Sequence, residues 1–464
     1  MAIAREMKTR ARGKRARGEI ALEKRILIRR KPIVWYAAWW LTLGILSLCC
    51  SHAYSQGITD PIPTSPPVPV GSGARALGMG GAFIAVADDA TAASWNPGGL
   101  GQLQRREMSV VGSWFSRSEH YDSSLENDSG SRSSSSDLNY LSYAYARNIW
   151  RRNMFFSLNY QKMFDFGRRV KFEVPPVFDS QSGTSITERN DFQQEGSLYA
   201  FSPAISLEVV PGFYAGLAYN AWSNSITGKS QWESKNQRIF STGKDEARVK
   251  YKDFQGENWT LGFLWKITQQ LHLGGVCKTP FQAKVKGELH SLYADQDKEK
   301  VKEEIYRIDF PLAYGVGLSY RLGNSLTFAG DVTRTEWQDF IISDDSGKIG
   351  PFQIFKGDVP HKDPTYTGRL GAEYAYVLDN LGIVLPFRVG VFYDPEPSVK
   401  APQDFYGMSL GCGIAGKRLA LDFAYQFRTG PPVNSVELGF DKGQKSNEGK
   451  IQQHFLLSSL IFYF

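Results

Sequence analysis

Histidine and cysteine, on which most metal and nucleophilic chemistry depends, are scarce: six His and four Cys in 464 residues. His120, His272, His290, His361 and His454 lie on separate stretches, and none stands in a Ser/His/Asp or His-metal spacing. No phosphate-cradling glycine motif occurs, and no cysteine pair has ligand or redox spacing. These absences predict a protein that is not an enzyme and uses no metal or cofactor. Long amphipathic helices are missing too, so no internal layer is available to cover a sheet. Excess charge is also missing once the first 31 residues are set aside. Of 54 basic and 47 acidic residues, 12 and 3 fall there, leaving 42 against 44. The high isoelectric point therefore belongs to a leader, and nucleic acid is not an expected partner.

That leader is the first positive feature. Its basic stretch precedes an uncharged run from Pro32 to Ser51 that includes Trp35, Trp39, Trp40, Leu41, Leu43 and Ile45, and then small residues at Ala53-Tyr54-Ser55. This order predicts a signal peptide over residues 1–55, cleaved before Gln56, and hence an exported protein. A retained anchor is the alternative, because about 18 apolar residues just span a bilayer. A lipoprotein fits less well, since Leu46-Ser47-Leu48-Cys49 puts a large Leu where the modified Cys needs a small neighbour. The basic part is long, so a start at Met7 or a special export route both remain open. Cys49 and Cys50 leave with the leader. Cys277 and Cys412 sit in strand-like runs and are expected as small buried apolar residues rather than as a disulfide.

A Pro-rich linker, 56–70, is expected to be extended. Residues 71–106 follow and are rich in Gly and Ala. From there to Phe464 the sequence is a series of stretches of about ten residues with period-two alternation, which means strands with two different faces. In one, Leu419, Leu421, Phe423, Tyr425 and Phe427 alternate with Ala420, Asp422, Ala424, Gln426 and Arg428. In others, Tyr366, Leu370, Tyr374 and Tyr376, or Tyr314, Val316, Leu318 and Tyr320, make the apolar row. Trp259, Leu261, Phe263 and Trp265 form a row aromatic at both ends, which suits two membrane interfaces. With no helices to cover these rows, lipid is the expected cover.

Fourteen strands are expected, near 108–117, 138–147, 153–164, 195–208, 213–224, 254–266, 271–281, 307–321, 325–337, 364–377, 385–393, 403–415, 418–429 and 451–464. Six short connections interleave with seven long polar ones. An all-β transmembrane antiparallel barrel with both ends in the periplasm has that rhythm, whereas a soluble sandwich has no reason to put every long loop on one side. The final run, His454 to Phe464, carries Phe464, Phe462, Leu460 and Leu456 on one face. It is expected to close the barrel, with Phe464 and Phe462 serving as an assembly signal. The opposite face, Tyr463, Ile461, Leu457 and Phe455, is nearly as apolar, which suits a packed interior more than a water-filled pore.

Several segments resemble the outer-membrane family that imports long-chain fatty acids and aromatic hydrocarbons, the FadL/TodX type. Gly78-Met79-Gly80-Gly81-Ala82-Phe83 and the stretch Asp88 to Leu100, with Asn96-Pro97-Gly98, are similar to that family's N-terminal hatch and its Asn-Pro-Ala signature. Cys277-Lys278-Thr279-Pro280-Phe281, Asp331 to Trp337, Arg369 to Tyr374 and Arg388 to Asp394 resemble its barrel motifs in the same order. Gly98 stands where the family usually has Ala. The segment Gly73 to Leu100 is also similar to barrels that serve type IX secretion as cargo shuttles, so fold is better determined than cargo.

The resemblance implies a monomeric barrel in the cell outer membrane with a hatch over 71–106, passively admitting hydrophobic small molecules such as fatty acids. It implies as partners the outer-membrane lipid and the barrel assembly machinery. The glycines, Gly80 and Gly81 among them, permit irregular backbone inside a lumen. Asn96 and Pro97 are expected either to latch the hatch against a wall opening or simply to form the turn into the first strand. Lys278, Asp331, Arg369, Glu373, Arg388, Asp422 and Arg428 should face inward. They form either a salt-bridge ladder or, through Lys278, Arg369 or Arg388, a carboxylate site. In the loop 282–306, Leu289, Leu292 and Tyr293 have partial helical spacing and are expected on a helix that either forms an entry groove or is solvated. The Ser-rich stretch from Ser129 to Ser136 reads as a loop tip.

Overall fold

The computed structural model describes residues 68–69, 71–121, 131–149, 152–179, 184–240, 243–293, 299–345, 347–349, 363–397, 402–431 and 449–464. The segments expected as signal peptide (1–55) and linker (56–70) lie outside the described residues, save Val68 and Pro69.

Twenty-one strands follow one another: β1 (Val68–Pro69), β2 (Glu107–Tyr121), β3 (Ser131–Ile149), β4 (Arg152–Asp165), β5 (Arg168–Asp179), β6 (Thr184–Val210), β7 (Phe213–Ser223), β8 (Gln231–Phe240), β9 (Gly243–Lys266), β10 (Leu271–Lys278), β11 (Phe281–Leu292), β12 (Lys300–Phe310), β13 (Ala313–Leu322), β14 (Leu326–Thr335), β15 (Ile341–Asp344), β16 (Gly347–Ile349), β17 (Thr365–Leu378), β18 (Ile383–Tyr393), β19 (Tyr406–Ala415), β20 (Leu419–Gly430) and β21 (Gly449–Tyr463). Fourteen of them form a closed antiparallel ring in the order β2, β3, β4, β6, β7, β9, β10, β13, β14, β17, β18, β19, β20, β21. Closure is made by β21 on β2, from Tyr463 opposite Glu107 to Gly449 opposite Tyr121. A closed ring leaves no unpaired edge, the condition for a sheet in hydrocarbon.

Alternation sorts the side chains as the sequence requires. Val316, Leu318, Leu370, Phe423 and Phe464 point outward and are exposed, Leu370 by 62% and Phe464 by 68%. Their neighbours Ser319, Asp331, Glu373, Asp422 and Arg428 point inward and are buried. Cys277 is half-buried and Cys412 exposed, both without a disulfide. The expected burial of these cysteines is therefore overturned: both share the outward parity of their strands.

β6, with 27 residues, and β9, with 24, are far longer than the 9–11 or so that cross a bilayer. Their excess continues beyond the barrel at the end bearing the long loops, where β5, β6, β8, β9, β11, β12, β15 and β16 pair in that order into an open antiparallel wall. One face of this wall packs Trp232, Tyr251, Phe254, Val285 and Ile308 into a core, with Trp232 and Tyr251 stacked at 4.4 Å. The other face is charged and cross-paired, as in Lys252–Glu288 at 2.7 Å and Lys235–Glu246 at 3.0 Å.

The wall corrects three expectations. The loop 282–306 forms the hairpin β11–β12 instead of a helix, because Ala283, Val285 and Gly287 alternate with Lys284, Lys286 and Glu288 and find a core to cover. The run 307–321 is two strands, since Pro311 lacks the amide a ladder needs. Ser131 to Ser136 belong to β3, paired with Glu119 to Trp114 of β2. A partner strand overrides their weak strand propensity.

Candidate ligand site in the barrel lumen

Residues 71–103 fold as short turns and helices (Ala74–Gly78, Ala92–Trp95 and the 3-10 turn Pro97–Gln102) packed against inward-facing strand residues. Close approach is made possible by glycines on the strands. A Cβ at Gly390 would lie 2.1 Å from the Gly80 nitrogen, and one at Gly216 would lie 2.2 Å from the Pro97 carbonyl carbon. Gly80 and Gly81 themselves adopt φ of 69° and 77°, which disfavour any side chain.

Two kinds of contact hold this segment. On β7 and β9, Asn96 is fully buried: its Nδ2 donates to the carbonyls of Ile84 and Phe263, both at 2.8 Å, while its Oδ1 accepts from the Gly98 amide. Asn96, Pro97 and Gly98 therefore make both a turn and a junction with the wall. On β14, the Asp331 carboxylate accepts from the Phe83 amide at 2.6 Å and the Ile84 amide at 2.9 Å. Leu457, on the inner face of β21, packs on Ala74 and Leu77.

The inward ionisable residues divide sharply. Arg388 donates to Glu373 and to Asp422, each at 2.6 Å, and Arg75 of the luminal segment donates to both oxygens of Glu373 at 2.8 and 2.9 Å. Arg75 pairs with Asp88 as well, so both arginines of this cluster are matched by acids. Arg369 donates to the Gly80 carbonyl at 3.1 Å and pairs with Asp394 at 3.5 Å. From Asp394 the chain of charge continues through Arg428, Glu396 and Arg117 to Glu119 and Arg168. Glu396 lies in the connection after β18. Burial alone would push its carboxyl up, but Arg117, Arg428 and Arg168 outweigh burial and hold it below the usual carboxylate range.

Above the luminal segment is a cavity of about 320 Å³, within the range of small-molecule sites. Gly71, Leu77, Ile84 and Trp95 form one side. Phe164, Trp222, Phe281, Phe310 and Trp337 form an aromatic wall in which Phe281 and Phe310 stack at 4.7 Å and Trp222 lies 5.2 Å from Phe281. Lys162, Lys278, Arg369 and Arg428 are the lining cations. Lys162 is held by Asp137 and Asp165, each at 2.6 Å. The side chain of Lys278, at the end of β10, makes no hydrogen bond or ion pair among the described residues.

Of the residues singled out from sequence, Lys278, Asp331, Arg369, Arg428 and Gly81 line this cavity, and Glu373, Arg388 and Asp422 do not. Leu289 packs against the core of the outer wall, Leu292 is exposed, and Tyr293 lies 5.8 Å beneath the Lys300 ammonium, so none of the three lines the cavity. Phe462 and Phe464 are on the outward face of the closing strand and its end. Sequence reasoning did not single out Arg75, Asp394, Glu396 or the aromatic wall. Phe281, which follows Thr279-Pro280 directly, and Trp337, at the end of the motif that starts at Asp331, were the legible traces of that wall.

Residues 70–452 match the family described as outer membrane protein transport protein (OMPP1/FadL/TodX). A FadL homologue from Pseudomonas aeruginosa is similar in structure, with TM-score 0.59 and 16% identity over 86% of this chain and 100% of that one. The monoaromatic hydrocarbon channel CymD gives TM-score 0.51 at 14% identity, covering 86% of this chain and 99% of its own. A deletion mutant of the monoaromatic hydrocarbon channel TodX gives 0.54 at 13% identity, covering 85% and 99%. At such identities the solved structures establish the fold alone. A search of curated protein sequences finds no match.

Proposed function

Since this chain belongs to the OMPP1/FadL/TodX family of outer-membrane transport proteins, we propose that it admits hydrophobic compounds through the lumen and that its preferred substrates are long-chain carboxylates. The luminal segment acts as the hatch. The aromatic wall takes the apolar part of the substrate, whose transfer from water yields about 25 cal/mol per Å² buried. No energy coupling is needed for a solute that partitions onward into lipid.

Lys278 carries the choice of carboxylate over hydrocarbon. It is a cation on the lining of an aromatic cavity, and unlike Lys162, Arg369 and Arg428 it is not already matched to an acid. A carboxylate drawn to it would satisfy a charge that is otherwise costly at that depth. Arg388 is unsuited to the task, being saturated by Glu373 and Asp422.

The test is uptake by cells carrying Lys278→Met, with labelled oleate and toluene as separate substrates. A charge-assisted hydrogen bond is worth about 1.5–3 kcal/mol, so oleate uptake should fall about tenfold or more while toluene uptake stays unchanged. An equal effect on both would defeat the carboxylate assignment. If deletion of the whole chain left both uptakes unchanged and abolished surface display of secreted proteins, the transport reading itself would fall in favour of a secretion component.

A further inference from the structure

The short-turn rim, which in outer-membrane barrels faces the periplasm, carries an uneven distribution of charge. Along five adjacent strands, β19, β20, β21, β2 and β3, it presents Lys417, Arg418, Arg105, Arg106 and Arg147, all exposed. None of the five forms an ion pair with an acid among the described residues. Glu107, next to them in sequence, is buried and faces the lumen with the inward parity of β2. Acids stand further round the rim on both sides: Asp379 in the β17–β18 turn, and Glu208, which accepts from Asn153 at 2.8 Å.

The arc is also placed and held. Arg106 lies 4.7 Å over the ring of Tyr145, on the outward face of β3 that also bears Tyr143 and Arg147. Arg105 lies 3.7 Å over Tyr463 on the lumen side and donates to the Lys417 carbonyl at 2.7 Å, tying the two turns together. Immediately above are the lipid-facing Leu419, Phe462 and Phe464. The cations thus sit at headgroup depth, beneath an apolar band and beside aromatic rings, where long basic side chains reach out to the interface. Elsewhere on this rim Arg321 lies within 4.0 Å of Asp88.

We propose that this arc binds the phosphate groups of anionic phospholipids in the periplasmic leaflet, fixing a patch of such lipid against β20, β21, β2 and β3. Charge complementarity and depth favour lipid. An acidic protein would have to approach side chains that already lie along the bilayer edge.

The test uses the full chain, extracted from membranes supplied with equal phosphatidylglycerol and phosphatidylethanolamine, and counts retained lipid by native mass spectrometry. Each cation is expected to favour the anionic headgroup by about fivefold, so the wild-type chain should retain mainly phosphatidylglycerol and lose that preference as ionic strength rises. A variant combining R106Q, R147Q, K417Q and R418Q should return to the supplied ratio. Heat-modifiable migration on a gel reports whether that variant is folded, and the salt titration of wild type stands independently of it. The proposal is overturned if wild type shows no preference, if the preference is insensitive to salt, or if the folded variant keeps it.

Discussion

The two sides of the lumen do different work with different interactions. Around β17, β18 and β20 the inner wall is ionic, and its charges are spent on one another and on the luminal segment: Asp422, Arg388, Glu373, Arg75 and Asp88 form a continuous chain of ion pairs. Where Phe164 of β4 and Trp222 of β7 meet Phe281 and Phe310 of the overlying β11 and β12, the lining is aromatic and faces a cavity. An ion pair in a low-dielectric interior is directional and costly to break, whereas stacked rings tolerate many apolar shapes. The first wall is therefore suited to hold a plug in one position. The second is suited to receive a solute.

The largest break in this contrast is expected from Glu373→Ala. Removing the shared acid leaves two buried arginines short of a partner, a loss of about 3–5 kcal/mol. The luminal segment should loosen, read as increased sensitivity of cells to a large hydrophilic antibiotic and a lower unfolding temperature in detergent. If permeability stays at the wild-type level, the ionic wall is not what holds the segment.

A smaller effect should follow Phe281→Leu on the aromatic side. Loss of its stacking with Phe310 and Trp222 costs about 0.5–1.5 kcal/mol beyond area. Uptake of an apolar substrate is expected to fall a few-fold with antibiotic sensitivity unchanged. A leak in this variant would show that the two walls are not separable.

The smallest effect should come from acid. The Glu396 carboxyl is held lower in the folded protein than its ordinary value, so its pairing stabilises the connection after β18 above the ordinary carboxylate range. That contribution is lost as pH falls through the depressed value. Protease cleavage in the β18–β19 connection should rise over that window and should do so at higher pH in Arg117→Gln. The rings of Phe281, Phe310 and Trp222 carry no titratable group, so toluene uptake should be indifferent, and toluene uptake that tracked the same titration would join the two regions, since Glu396 also lines the cavity.

Much of the ring was legible in the chain. Leu419 to Phe427 and Tyr314 to Tyr320 each alternate cleanly, because one face meets lipid and the other meets protein, and fourteen such runs were separable by their turns. The outer wall was not legible as sheet. In β11 the inward residues Ala283, Val285 and Gly287 are small and followed by Leu289, Leu292 and Tyr293, a mixture that also satisfies helical spacing until a partner strand decides between the two. For the site, Lys278 and Arg369 carried a signal in their inward parity. Parity says nothing of which carboxylate a cation will meet, so the difference between a saturated Arg388 and an unmatched Lys278 was out of reach.

Sequence by itself thus determined the barrel, the two faces of its regularly alternating strands and the composition of the luminal segment, since these follow from local periodicity and from the lack of any other cover for apolar rows. Only tertiary structure decided which charges cancel. Arg75 meets Glu373 across 298 positions of sequence and Phe83 meets Asp331 across 248, and such encounters depend on how a ring closes around its own N-terminal segment.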